Sequence, residues 1–517
     1  MIGRRDGSWT GESGGVDWLV KRRELEGDAG PSLYLGVQLD SREDAQQWLR
    51  FDCFGHDPHW HLDPLGRDEI HPLGRHDDPI SEVFDLLRRD LSELLERAGA
   101  EPAVAKPAAA ALDGVEGERF LVEAERAMRH EPAVLEELDI RRLRQRRSEK
   151  WHTYPDDVLP AWVAEMDFPI AAPIQAELRR FVELADVGYP IAPKETGLPE
   201  VFSARMSERF DWTPDPARVE ILSEVVQGMY LSLEAYAEVG EGAVVQTPIY
   251  PPFLHAVRET GRKLVDNPLV PHGDRLEIDF DGLEESLEAT TRVFMLCNPH
   301  NPSGRVWARA ELERLGELAL RHDLIVVSDE IHADLVFDGR RHIPFASLSP
   351  ELAARTVTLT SPSKAFNIPG LRCAIAHFGT AELQSRFSDA HPRHIRGGIG
   401  LLGLYASMAA WRWGQPWLEE VVPYLESNRA FARERLAERI PEIRFFPPEA
   451  TYLAWMDCRA LPIEGSPAGH FLREGRVAIS DGRAFGVGWD RFARLNLATS
   501  RPILAEVIER MAKALSR

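Results

Sequence analysis

The stretch TLTSPSKAFNIPGLR, residues 358–372, sets a lysine among small and apolar residues directly behind a β-branched run. The segment RTVTLT (355–360) has the composition of a buried strand. SPS then turns the chain, and Lys364 stands just past the strand end. Most lysines are solvated charges. A lysine that must lose its proton near neutral pH has reason to sit in such a place, because burial and nearby cations lower its pKa. Lys364 alone does not decide between the two, so the surrounding chain has to.

Working outward, strand and helix signals alternate. GAVVQT (242–247), RVFMLCN (292–298) and LIVVSDE (324–330) are further short apolar runs, and ARAELERLGELALRHD (308–323) is helical in period. Strands apolar on both faces with helices between them imply a mostly parallel sheet covered on both sides. Ligands of such sheets sit at the carboxyl ends of the strands. The residues at and just beyond each strand end are chemical in character. Tyr250 comes after the first, Asn298 to Gly304 after the second, Asp329 and Glu330 close the third, and Ser361, Ser363 and Lys364 come after the fourth. Each could serve a turn or a cap alone. Together they bring an aromatic ring, an amide, a carboxylate, hydroxyls and an amine to one edge.

The chain has 517 residues, enough for two or three domains. It carries 61 basic and 83 acidic side chains, a net charge of −22, which argues against nucleic acid or an anionic membrane as partner. The four cysteines are far apart and form no CxxC pair, so neither a disulfide framework nor a cysteine zinc site is expected. No apolar run reaches membrane-spanning length and no signal peptide is evident, so a cytoplasmic protein is expected. Residues 1 to about 30 are glycine-rich and charged and are expected to be loose. PSLYLGVQLD (31–40) and AQQWLRFDCF (45–54) read as strands. Residues 78–100 read as a helix, with Asp78 at the N-cap and Pro79 in the first turn. These form a small N-terminal α+β module over 1–100. The Ala/Pro-rich segment 101–117 reads as a flexible linker, and 118–517 as the catalytic region.

The module also holds FGHDPHWHLDPLGRDEIHPLGRH (54–76), with His56, His59, His61, His71 and His76. His59 and His61 would point the same way on a strand, as metal ligands can. Without a cysteine or supporting pattern, the expectation is a polar, aromatic-rich surface loop around Trp60 and no metal.

A Schiff-base lysine, a carboxylate for a pyridinium nitrogen, a stacking ring and a phosphate cradle are the parts of a pyridoxal phosphate (PLP) site. The segments KWHTYPDDVLPAWVAEMDFPIAAPI (150–174), VGYP (187–190), QTPIYPPF (246–253), CNPHNPSGRVW (297–307), SDEIHADLVF (328–337), SPSKAFNIPGLR (361–372) and RLNLATSR (494–501) occur in the order seen in a known family. The chain resembles the fold-type I, aspartate aminotransferase-like PLP enzymes of the class I/II aminotransferase superfamily, and within them the cystathionine β-lyase (C–S lyase) branch of the MalY/PatB type.

That resemblance implies a PLP-dependent transferase fold. A large domain at about 185–415 would carry a mostly parallel seven-stranded sheet, and a smaller α+β domain would come from 118–184 and 416–517. It implies PLP bound through Lys364, with Asp329 at the pyridine nitrogen, Asn301 at the ring oxygen, Tyr250 stacked on the ring and His332 beside it. Ser361, Ser363, Arg372 and the backbone at Val225 and Val226 would hold the phosphate, and Tyr189 would reach it across a homodimer interface. Arg494 would clamp the substrate carboxylate, helped by Tyr250 and Asn301; Lys364, Asp329 and Tyr250 would be catalytic. The implied reaction, within amino-acid metabolism, is β-elimination from a cysteine-derived amino acid such as cystathionine, giving thiol, pyruvate and ammonia. Transamination, or loss of another leaving group, needs the same residues. Three positions depart from the family pattern. Glu224 stands where a glycine is expected and should turn away from the phosphate or pair with a cation. His332 replaces a tyrosine common in aminotransferases, and AEMDF (164–168) replaces ADMDF.

Overall fold

In the computed structural model, which describes residues 3–5, 8–25, 28–39, 45–75, 77–192 and 195–516, the glycine-rich start of the chain is sheet rather than loose segment. Seven antiparallel strands succeed one another in chain order: β1 (Gly3–Arg5), β2 (Ser8–Ser13), β3 (Val16–Leu25), β4 (Asp28–Val37), β5 (Gln46–Asp52), β6 (His59–Leu62) and β7 (Glu69–Pro72). Alternate residues turn to one face. Val16, Trp18 and Val20, Leu33 and Leu35, Leu49 and Phe51, and Trp60 and Leu62 all enter one apolar core. Gly14, at φ +59 in the β2–β3 turn, lies so close to Ala108 that a Cβ there would stand 2.5 Å from its Cα.

The helix α1 (Pro79–Arg97) starts as the sequence reads. Asp78 accepts a hydrogen bond from the Ser81 N–H, and Pro79 opens the first turn. Segment 101–117 is a correction. It is not a flexible linker: α2 (Pro102–Ala110) and α3 (Gly114–Arg129) are helices. Ala105, Ala108, Phe120, Leu121 and Ala124 are buried in the same core as the strands. Alanine is the best helix former and proline is welcome in a first turn, so a composition that suggests a tether also suits a closely packed helix. Residues 3–131, 171–184 and 412–417 cluster as one unit. Residues 118–131, 171–184 and 416–417, expected in the small catalytic domain, therefore group with the first unit. The Arg129 guanidinium lies 4.3 Å over the Trp413 ring within it.

The surroundings of Trp60 are also a correction: His59–Leu62 is a largely buried strand rather than a surface loop, while the turns on either side of it, His56 included, are exposed. Trp60 and His61 are 8% and 4% exposed. His76 lies outside the described residues.

The second unit centres on another seven-stranded sheet. Its strands are β8 (Val219–Leu222), β9 (Gly242–Val245), β10 (Lys263–Asp266), β11 (Thr291–Cys297), β12 (Ile325–Asp329), β13 (Thr356–Thr360) and β14 (Ala374–Phe378). The order is β10-β9-β11-β12-β13-β14-β8, parallel except at β14, which runs antiparallel to both neighbours. The mostly parallel seven-stranded sheet expected from the resemblance is present. Cys297 pairs with Asp329 and Asp329 with Leu359, so β11, β12 and β13 end at one level and the residues beyond them share one edge. A four-stranded antiparallel sheet is built from β15 (Arg444–Phe446), β16 (Leu453–Asp457), β17 (Ser480–Asp481) and β18 (Phe492–Asn496). No helix among the described residues is long and apolar enough to cross a membrane.

Phe120 packs against Trp9 and Trp18 at ring separations of 5.6 and 5.2 Å. Phe120→Ala should therefore destabilise the first unit by about 3–5 kcal/mol, as large-to-small changes of a buried aromatic do. Urea unfolding monitored by tryptophan fluorescence measures it. A loss below about 1 kcal/mol would mean that Phe120 does not anchor α3 to the strand core.

Candidate active site

At the carboxyl edge of the parallel strands lies a cavity of about 110 Å3. Asp329 closes β12 and is 5% exposed. Its neighbour Glu330 is buried too, yet the two differ. Glu330 receives Ser328 Oγ at 2.8 Å, the Phe345 N–H at 3.0 Å and His342 Nε2 at 2.9 Å. Asp329 receives the Ile331 N–H at 3.1 Å and lines the cavity. Burial pushes the Asp329 carboxyl up to about 7.

Lys364 also lines the cavity and donates to the Ala164 carbonyl at 3.1 Å. Burial, then the charge of Arg494, pushes it down to about 8. The amine can thus exist in part unprotonated near neutral pH. The setting of residues 358–372 corresponds to the perturbed lysine, not to a solvated charge.

Tyr250, Asn301 and His332 line the same cavity. Tyr250 precedes the helix Pro251–Glu259, and its N–H donates to the Asn301 carbonyl at 3.0 Å. Burial raises the Tyr250 phenol. His332 is pushed down to about 3 by burial, which keeps it neutral, and its Nδ1 has no hydrogen-bond partner. Arg494, on β18, lies on the far side of Asn301. It donates to Asn301 Oδ1 at 2.9 Å, to the Trp162 carbonyl at 3.1 Å and to Ser480 Oγ at 3.1 Å, and its Nε is left without a partner. Burial lowers it to about 10. Arg494 faces an adjoining cavity of about 490 Å3, which shares Tyr250 with the first.

The other end of the first cavity is a cradle for an anion. Val225 and Val226 open the helix α4 (Val225–Tyr236), where N–H groups have no partner within the helix. Ser361, Ser363 and Arg372 complete it. The Ser361 hydroxyl donates to the Cys373 carbonyl at 2.6 Å and accepts from the Ser363 N–H at 3.1 Å. Arg372 is held in the left-handed region at φ 47. Glu224 pairs with it at 3.4 Å, the cation contact expected for a carboxylate in that place.

Two residues that the sequence singles out stand apart from this cluster. Tyr189 is fully exposed and lines a separate groove. In AEMDF the Glu165 carboxylate accepts from Ser148 Oγ at 2.6 Å. Sequence reasoning missed Tyr452, whose hydroxyl donates to the Ala164 carbonyl at 3.1 Å, the acceptor that Lys364 uses. It stands just before β16, and TYLAW (451–455) offered no signal beyond an apolar run.

The residues fit PLP on the chemistry of the donor set. They offer a buried acid poised to share a proton with a ring nitrogen, an amine of lowered pKa, a flat aromatic wall and an anion cradle in one cavity. The histidines of the first unit are a different case. Ligand atoms of Asp52, His59 and His61 lie within 4.8 Å of one another. Asp52, however, already receives Arg50 Nε at 2.8 Å, Arg23 Nη1 at 3.2 Å and Ser32 Oγ at 2.5 Å, and Arg50 Nη2 stands 2.6 Å from His61 Nε2. Burial alone would raise the Asp52 carboxyl, but His61, Ser32 and the two arginines hold it well below the usual range. The carboxylate a cation would need is engaged by two guanidinium groups.

The family described as Aminotransferase class I and II matches residues 221–511, and a domain of unknown function, DUF7700, matches residues 11–116. Cystathionine beta-lyase PatB of Bacillus subtilis is 37% identical over 362 residues, which cover 70% of this chain and 93% of that protein. Among solved structures, OvoB superposes with a TM-score of 0.70 at 39% identity, covering 74% of this chain and 99% of the other. The PLP-bound C–S lyase of Staphylococcus hominis superposes with a TM-score of 0.69 at 28% identity, covering 74% and 99%.

The raised Asp329 carboxyl has a consequence for stability. Between about pH 4 and 7 the folded chain retains a proton that the unfolded chain has released, so stability falls as pH rises through that window. Above it the whole cost is present. Asp329→Asn removes the ionisation and should raise the melting temperature of the cofactor-free chain at pH 8, with little change at pH 4. Thermal denaturation at the two pH values checks this. Equal melting temperatures at pH 8 would mean that the carboxylate is compensated in place.

Proposed function

The chain belongs to the class I and II aminotransferase family, and from that premise we propose that it is a PLP-dependent carbon–sulfur β-lyase acting on a cysteine-derived amino acid such as cystathionine. The observation that carries the proposal is Lys364 and Asp329 facing one cavity, each shifted by burial toward the neutral range. The lyase assignment draws its support from relatives named cystathionine beta-lyase or C–S lyase at 28–37% identity.

PLP, when bound, supplies an electron sink for the pair released when a proton leaves the substrate Cα. The residues of this chain do the rest. Lys364 anchors the cofactor and, once displaced by substrate, takes the Cα proton on Nζ. Asp329 holds a proton at the pyridine nitrogen. Asn301 would donate to the ring oxygen, Tyr250 would cover one ring face, and neutral His332 would border the ring. The N–H groups of Val225 and Val226, the hydroxyls of Ser361 and Ser363, and Arg372 hold the phosphate. Arg494 binds the substrate carboxylate with its fork, which a lysine could not match. The β-thiolate leaves and is protonated to the thiol, and the released dehydroamino acid adds one water to give pyruvate and ammonia.

We further propose a homodimer. Val187, Tyr189 and Ile191 are exposed beside a groove lined by Leu371, Ile399 and Leu401. A second copy placed over this groove by a two-fold axis buries that surface, and it lets each Tyr189 serve the partner's phosphate. A reducing cytoplasm suits four buried, unpaired cysteines.

Incubation with L-cystathionine should yield pyruvate without any added keto acid. Turnover that requires a keto acid would make the protein an aminotransferase. Lys364→Ala should lose at least about 1,000-fold in kcat, a barrier increase of about 4 kcal/mol. Mixing inactive Lys364→Ala chains with impaired Tyr189→Ala chains should restore activity, since a hybrid dimer has one complete site. No recovery on mixing, or an active monomer, would exclude the shared site.

A further inference from the structure

Glu224 occupies the N-cap of α4, at the mouth of the anion cradle, with extended backbone. An Asp at an N-cap turns its side chain onto its own helix and accepts a first-turn N–H, whereas Glu, one methylene longer, is not among the residues suited to that place. Glu224 makes no such bond. Its carboxylate reaches the other wall of the cradle, 3.4 Å from Arg372 Nη1. The cradle without ligand therefore carries its own anion. Arg372 is fixed from both sides of the chain, by the turn Pro369–Leu371 before it and by the Ser361 hydroxyl on the Cys373 carbonyl after it. The pair is partly exposed, with Arg372 at 65% and Glu224 at 44%, so solvent screens it and it can be exchanged.

We propose that Glu224 is an internal competitor for the cofactor's phosphate: it holds Arg372 in the cofactor-free chain and must release it when phosphate arrives. The inference rests on assigning the phosphate to Arg372 and the α4 N-terminus. The N–H groups of Val225 and Val226 remain free for the phosphate throughout, so the competition concerns the guanidinium alone. Holding a carboxylate where a neutral residue would do makes retention of PLP looser and more easily reversed.

The test is a two-by-two comparison on the full chain, stripped of cofactor and titrated with PLP. Visible absorption and quenching of tryptophan fluorescence report binding, without reference to turnover. Glu224→Gln keeps the size of a half-exposed side chain and should lower the PLP dissociation constant about fivefold, equivalent to about 1 kcal/mol, the upper end for an exposed pair. Inorganic phosphate, read by competition, should gain in parallel. Arg372→Ala should weaken PLP binding, and in that background Glu224→Gln should bring less than about a twofold gain. Unchanged or weaker binding by Glu224→Gln would show that Glu224 positions Arg372 for the phosphate, and the proposal falls. A gain of the same size that persists without Arg372 would mean direct repulsion and would also overturn it. If Arg372→Ala binds PLP as the unaltered chain does, the phosphate assignment itself is wrong and the proposal falls with it.

Discussion

Two ionisable groups, Lys364 and Asp329, line one cavity at the sheet edge without a direct bond between them, and the unit around them is arranged to keep them so. Neighbouring charges inside a protein ordinarily pair, and a paired lysine keeps its proton. Here Asp329 bonds to the Ile331 N–H and Lys364 to the Ala164 carbonyl instead. Asp329 is the last residue of β12, while Lys364 lies beyond the SPS turn after β13. Side chains alternate across the sheet, so Glu330 goes to another set of partners and is satisfied by three donors. A parallel ladder that ends in register thus supplies an acid and an amine that face a shared space and retain unused bonding capacity.

The resting place of the lysine depends on a second device. Ala164 is an acceptor for both Lys364 and the Tyr452 hydroxyl, and a carbonyl oxygen has two lone pairs to give. The segment carrying it is tied down by buried polar groups. Asn496 donates to the carbonyls of Val163 and Glu165, and Asn367 donates to those of Met166 and Phe168. Lys150 and Asp167, each 1% exposed, form an ion pair at 2.9 Å, and the Trp151 indole adds a bond at 2.6 Å. A buried pair of this kind contributes little net stability, yet losing one partner is expensive. Its value lies in fixing where a backbone oxygen stands. The segment KWHTYPDDVLPAWVAEMDF is therefore a support as much as a wall of the site.

Much of this was legible in the sequence because the sheet edge is built from consecutive residues. A β-branched run that ends in SPSK, and another that ends in SDE, specify both a strand and the groups its end delivers. The helical nature of 101–117 was not legible. Alanine and proline mark tethers and tightly packed helices alike, and only the contacts of Ala105 and Ala108 with the strand core decide between them. The burial of Trp60 and His61 was hidden for a related reason: the polar residues around them bond to one another, Asp52 with Arg50 and His61 with Asp68, and so can be buried. Tyr452 could not be found, since its acceptor lies 288 positions away in the chain and leaves no local pattern.

The active-site cavity is made at the expense of the chain that forms it. Burial raises Asp329 and lowers Lys364, His332 and Arg494, so all four shifts oppose charge. His332 Nδ1 and Arg494 Nε are buried without partners, a cost of about 1–3 kcal/mol for such an atom. The three apolar cores of the second unit must supply a surplus to carry these costs. A ligand that bonds to the same groups returns part of it, and it does so only in the folded state, so its binding free energy adds to folding stability. Affinity for the cofactor and the poor stability of the site without it are thus one property, since both arise from polar groups that the fold brings together and leaves unsatisfied.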